Sequence, residues 1–260
     1  MRIANKDDIT ISSIEDWRRL APPKHEYQWA EGHSAFELAR AWCGSGTAGM
    51  PEGLVALLDS MDETRGLSVD LVTPEHRIAF DTHGGEPRNA DLAFVGRTAV
   101  ATVAVTIEAK ADEPFGATVA LTTTDALERL ITNPGSHGVK RVADLVQAIL
   151  PVRGQGQPKV GALRYQLLTA VAGSLAYARE TGASIAVLVI HEFVTDKTRD
   201  TRHAKNGHDY RAFLHRLTGV LPGEHEPTPQ FGLFTVPGVP LFDSGSRLLI
   251  GKVVTNCRTA

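Results

Sequence analysis

Aspartate 91 and the triplet Glu108-Ala109-Lys110, 17 residues further on, are the residues in this chain whose types and spacing best suit chemistry. Both sit in apolar-rich segments that read as β-strands, where successive side chains point to opposite faces. In the segment Thr98 to Lys110, Ala101, Val103, Val105, Ile107 and Ala109 share one apolar face. Thr102, Ala104, Thr106, Glu108 and Lys110 share the other, so the strand delivers a carboxylate and an ammonium side by side at its end. In the segment Ala90 to Val95, Leu92 and Phe94 point one way and Asp91 the other, and hairpin pairing would set Asp91 beside Glu108. Two carboxylates are hard oxygen ligands of the kind that hold Mg²⁺, with Mn²⁺ as a substitute. Such an ion polarises a phosphoryl oxygen and lowers the pKa of a bound water. Lys110 can orient that water or stabilise charge developing on the phosphate. The expected chemistry is phosphodiester hydrolysis, with Asp91 and Glu108 as metal ligands.

The elements around these residues must hold them in place. Ser34 to Cys43 (SAFELARAWC) reads as a helix with Ser34 as N-cap and Glu37 completing a capping box. A second helix is expected from Gly53 to Thr64. Strands follow at His76–Phe80, Ala90–Val95 and Thr98–Lys110, with turn residues THGGEPRN between the first two. Helices are expected at Asp125–Ile131, Val139–Leu150 and Leu163–Glu180, the last with Leu163, Leu167, Val171, Leu175 and Ala178 at helical spacing. IAVLVIHEF at Ile185–Phe193 is almost continuously apolar, as a strand covered on both faces is. Further strands are expected at Phe231–Val236 and Arg247–Thr255. This order predicts an α/β fold with a mixed sheet.

Asp91 and Glu108-Ala109-Lys110, set in helix, three-stranded meander, crossover helix and returning strand, resemble the PD-(D/E)XK nuclease superfamily. The resemblance covers Ser34 to Phe193, with Ala90 where the motif's name has proline. It implies a restriction-endonuclease-like core over residues 34–193 of a single domain, flanked by extensions at 1–33 and 194–260. It also implies Lys110 as catalytic lysine and a metal-dependent nuclease, acting on DNA, with a role in prokaryotic defence or restriction. Some superfamily members add a glutamate from the first helix as a metal ligand, and Glu37 matches that position; the capping box explains it equally well. Some branches place a glutamine near the site on the long helix, which Gln166 matches, although Ala170 stands where those branches carry tyrosine.

Composition sets the outer limits. Of 260 residues, 42% are apolar and 22% charged, which suits a folded chain. The net charge of -3 excludes a globally basic nucleic-acid coat but not a local basic cleft. Asp196 to Arg216 carries a net +3 and three histidines; it is either a phosphate-binding patch or a solvated loop. Lys140, Arg141, Arg153, Lys159 and Arg164 form a second basic stretch. Cys43 and Cys257 stand far apart without a CxxC pattern, which excludes a cysteine zinc site and points to a reducing cytoplasm. The polar N-terminus is no signal peptide, and no segment is apolar enough to span a membrane. GSGTAG at residues 44–49 follows a helix instead of a strand, so the dinucleotide-binding context is missing. His203 and His208 stand five apart without a third zinc ligand that the sequence places, and His191 reads as a core histidine. The competing expectation is an inactive nuclease-fold binding module, or a structural subunit working as a homodimer or within a complex.

Overall fold

The computed structural model describes every residue except 45, 47, 222, 224–230 and 259–260, together with the side chains of 231 and 232. Ser45 and Thr47 of GSGTAG thus lie outside the described residues. The strands form one seven-stranded mixed sheet: β1 (Arg2–Ile3), β2 (Ser68–Ile78), β3 (Arg88–Arg97), β4 (Thr102–Lys110), β5 (Ile185–Val194), β6 (Phe231–Thr235) and β7 (Arg247–Asn256). Their order across the sheet is β1-β2-β3-β4-β5-β7-β6. The meander β2-β3-β4 is antiparallel, whereas β4-β5 and β5-β7 are parallel. A parallel step needs a crossover. Helices α4 (Val119–Thr132), α5 (Gly138–Ile149) and α6 (Tyr165–Thr181) connect β4 to β5, and α7 (Asp200–Thr218) begins the connection from β5 to β7.

Alternation along β4 and β5 divides the interior in two. Val103, Val105, Ile107, Val187 and Val189 pack with Trp17, Leu38, Trp42 and Leu54 of α1 (Ile14–Leu20), α2 (Ser34–Cys43) and α3 (Glu52–Asp59). Ala104, Ala186, Leu188 and Ile190 pack on the opposite face with Leu168, Val171, Leu145, Phe213 and Leu214 from α6, α5 and α7. The result is a helix–sheet–helix sandwich in which the strand expected to be covered on both faces is so covered: Val187, Val189 and Ile190 are 3%, 0% and 1% exposed. Helix α6 lies over the centre of the sheet and is buried from Leu167 to Ala178 except at Thr169, which is half-buried. Gly182 closes it in the left-handed conformation (φ 67°), which an L side chain would strain.

Three expectations are corrected. The first strand of the meander begins at Ser68, not His76, because Pro74 sits within the ladder opposite Leu92. Asp196–Arg216 is no solvated loop: α7 is a 19-residue helix that buries Tyr210, Phe213, Leu214 and Leu217. The expected capping box of α2 is replaced. His33 is the N-cap, and Ser34 is the first helical residue.

Candidate active site

The β3–β4 register pairs Leu92 with Ile107, so the next step of the ladder sets Asp91 across from Glu108. Between the paired positions Pro74↔Leu92 and His76↔Ala90, β2 sets Glu75 across from Asp91. Three carboxylates therefore run in a row across three adjacent strands, at the carboxyl end of β4. Asp91 is anchored by its Oδ2, which accepts the Ala109 backbone N–H at 2.6 Å. Lys110 Nζ donates to Glu108 Oε1 at 2.5 Å, and Gln166 Nε2, in the first turn of α6, donates to the same oxygen at 2.6 Å. Arg88 Nη2 pairs with Glu108 Oε2. The Lys110 ammonium also lies 5.4 Å from the centre of the Phe115 ring.

Sequence and fold together explain this convergence. The β4 alternation sends Glu108 and Lys110 toward α6 and leaves Ile107 and Ala109 in the opposite core. Helix α6 presents small residues there. A Cβ at Gly173 would come within 2.9 Å of Arg88 Cδ, so glycine opens the channel along which Arg88 reaches Glu108.

The charges are unequally shared. Burial alone would raise the Glu108 pKa, but Lys110 and Arg88 hold it below the usual carboxylate value. Burial works against the Lys110 ammonium, and Glu108 and Asp91 outweigh it, so its pKa lies above normal. Asp91 is pushed up to about 7 by burial and by the charge of Glu108. Glu75 is pushed up to about 8 by burial and then by Asp91, against a hydrogen bond from Asn89. Glu75 also sits at φ 51°, a left-handed backbone unusual for a side chain of its size.

Asp91, Glu108, Lys110 and Gln166 line a cleft of about 500 Å³, walled on the far side by Ser34 and Glu113. Glu37 does not line it. Its Oε1 accepts the Gly32 N–H at 2.8 Å and its Oε2 pairs with Arg40 at 2.7 Å, so the structure assigns this 1%-exposed side chain to holding the start of α2. Glu113 takes the role expected of the capping box: its Oε1 accepts the Ser34 N–H at 2.9 Å, and its Oε2 accepts the Ala111 N–H at 3.0 Å. Gln166, in contrast, reaches Glu108 directly.

Arg88, Glu75 and Glu113 are the site residues that sequence reading missed. Glu75 was hidden because Pro74 discourages extending a strand upstream of His76. Arg88 lies in what reads as a turn, and its separation of three residues from Asp91 puts it out of phase with that side chain on an alternating strand, so parity does not point to it.

The crowded carboxylates suit a hard cation, since positive charge placed among them would relieve the repulsion that raises Asp91 and Glu75. Glu108 would receive it only where Arg88 or Lys110 yields an oxygen. Among the described residues no group of three histidine, cysteine, aspartate or glutamate side chains stands at metal-holding geometry. His191 is a core histidine, its Nε2 2.8 Å from Thr255 Oγ1 and its ring against Phe193. His203 bridges Glu192 and Thr198 at 2.8 Å each.

A family model described as a domain of unknown function, DUF6946, matches residues 10–256. The chain belongs to that family. No curated protein and no solved structure matches it. No helix among the described residues is long and apolar enough to cross a membrane.

Proposed function

We propose that this protein is a metal-dependent nuclease with a restriction-endonuclease-like core, hydrolysing phosphodiester bonds in DNA in a prokaryotic cytoplasm, in defence or restriction. The observation that carries this reading is the meeting of Asp91, Glu108 and Lys110 at the carboxyl end of β4, inside a cleft. Helix α2, the β2-β3-β4 meander, the α4–α6 crossover and the returning strand β5 match the order of elements in that core. Asp91 and Glu108 would hold Mg²⁺ or Mn²⁺. When bound, the ion polarises the phosphoryl oxygen and acidifies the attacking water. Lys110, kept protonated by the carboxylates around it, stabilises the negative charge that grows on the non-bridging phosphate oxygens. Gln166 fixes the Glu108 carboxylate, and the Ala109 N–H fixes that of Asp91, so both are oriented before substrate arrives.

One feature favours a second reading, an inactive nuclease-fold binding module. Both oxygens of Glu108 are already engaged, by Arg88 on one side and by Lys110 and Gln166 on the other. The deciding experiment incubates labelled duplex and single-stranded DNA with the protein and Mg²⁺ or Mn²⁺, beside Asp91→Asn and Lys110→Met. Metal-dependent cleavage lost in both variants supports the nuclease. Retarded migration of intact DNA without cleavage supports the binding module, and neither result leaves a subunit that does not act on nucleic acid.

A further inference from the structure

Away from the cleft, the last turn of α7 holds an arginine that the proposed chemistry does not use. Arg216 is only 6% exposed. Among the described residues its buried Nε and Nη1 have no hydrogen-bond partner, and no carboxylate pairs with it. A buried guanidinium without a counter-charge is among the least favourable arrangements a folded chain can contain. The neighbouring charge makes it worse: burial and then the positive charge of Arg153 push the Arg216 pKa below its ordinary value.

Arg153 is held where it is. Its Nε donates to the Gln157 carbonyl at 2.8 Å. Gln157 is 6% exposed; its Oε1 accepts the Gly154 N–H at 2.7 Å and its Nε2 donates to the His215 carbonyl at 2.8 Å. The loop before α6 is thus clamped to the end of α7, and the clamp keeps two guanidiniums in each other's field.

We propose that Arg216 and Arg153 form an anion site that takes a phosphate group, either the free ion or a phosphate ester. A phosphate carries a charge of about −1.5 to −2 near neutral pH, enough to balance two guanidiniums, and its oxygens accept the forked N–H donors that arginine presents. The site shares no residue with the Asp91–Glu108–Lys110 cleft, so it stands or falls apart from the nuclease reading.

The test is thermal unfolding at constant ionic strength in chloride buffer, with added inorganic phosphate or adenosine 5′-monophosphate. A ligand that binds only the folded state raises the unfolding temperature saturably. The expected result is such a rise with phosphate in the wild type. Arg216→Met should abolish it while unfolding no earlier than the wild type in chloride alone, because an uncompensated buried charge is gone. Arg153→Gln, at an exposed position, should weaken phosphate at least about tenfold, as loss of one charge-assisted contact does. An equal rise with the monophosphate assigns the site to esters, and a rise with inorganic phosphate alone assigns it to the free ion; both support it. The proposal is overturned if the wild type ignores both probes, or if Arg153→Gln responds as the wild type does.

Discussion

Asp91 and Glu108 carry the same chemical group one strand apart, yet their surroundings push them in opposite directions. Glu108 sits between Arg88 and Lys110 and is held ionised, whereas Asp91 meets mostly burial and negative charge. Neutralising them should therefore have opposite effects on folding. Glu108→Gln strands two buried cations and should cost about 3 kcal/mol or more in urea unfolding at pH 8. Asp91→Asn removes an unfavourable charge while its amide oxygen can still accept the Ala109 N–H, and should leave stability unchanged or slightly raised. Both should end any metal-dependent cleavage. Equal destabilisation by the two would show that the charge asymmetry is wrong. His191 allows a cleaner pH experiment, because burial alone depresses its pKa to about 4. The unfolded chain takes up that proton from about pH 6.5 downward, whereas the folded chain waits until about pH 4. The His191 contribution to stability should hold above pH 6.5 and fall between 6.5 and 4, by up to about 3 kcal/mol, since each tenfold difference in proton affinity between the two states is worth about 1.4 kcal/mol. Asp91 and Glu75, whose pKa values are raised by folding, push the total the other way over this range, so the contribution is read as the difference between the wild type and His191→Gln, which should change by that amount between pH 6.5 and 4.

Among the elements, α6 is the one on which the site depends most. Glycine inside a helix is ordinarily destabilising by roughly 0.5–1 kcal/mol relative to alanine. At Gly173 that preference should be overridden, because the added methyl would meet the Arg88 side chain at 2.9 Å and Arg88 is tied to Glu108. Gly173→Ala is expected to unfold at lower temperature, with a net loss of about 1–2 kcal/mol from overpacking. A gain in stability would mean that Arg88 moves aside freely. The same helix shows what a sequence can and cannot reveal. Its leucines and valines at helical spacing, the alternation of β4 and the apolar run of β5 are local signals tied directly to burial, and all three elements stand where those signals put them. The pairing of Asp91 with Glu108 followed from strand parity alone. Arg88 and Glu75 could not be found that way, because what brings them in is the space left by Gly173 and a ladder that runs through a proline. Glu37 misled for a related reason: a Ser-x-x-Glu pattern fits a capping box, and here a distant glutamate, Glu113, performs the cap.

For the whole molecule, the question is how a chain of net charge -3 would meet a polyanion. The positive stretch that opens α7 is not wholly free to do so. Arg199 is engaged by Asp112, with Nε and Nη2 at 2.8 and 2.5 Å from the same carboxylate oxygen, whereas Lys205 is exposed on the helix and Lys197 on the turn before it. If DNA binds there, replacing Lys197 and Lys205 with glutamine should lower the slope of log affinity against log salt by about two, at roughly 0.9 per phosphate contact. Arg199→Gln should leave the slope unchanged. A filter-binding series from low to high salt measures both, and a larger effect of Arg199 would place the phosphate path across Asp112.

The position of β7 has a consequence for how the chain reaches this structure. Strand β5 ends at Val194, but its second neighbour in the sheet does not begin until Arg247. A ribosome therefore delivers one of the most apolar strands of the protein more than fifty residues before the segment that closes its edge. During that interval the row of unpaired N–H and C=O groups along IAVLVIHEF can template pairing with another nascent copy. Helix α7, emerging next, covers a face of the sheet and leaves that edge open. A chain stopped after Ser246 should accumulate as aggregate, and supplying residues 247–258 as a separate peptide during refolding should return part of it to solution. Expression yield of this chain is thus expected to depend on how quickly the segment after α7 is made.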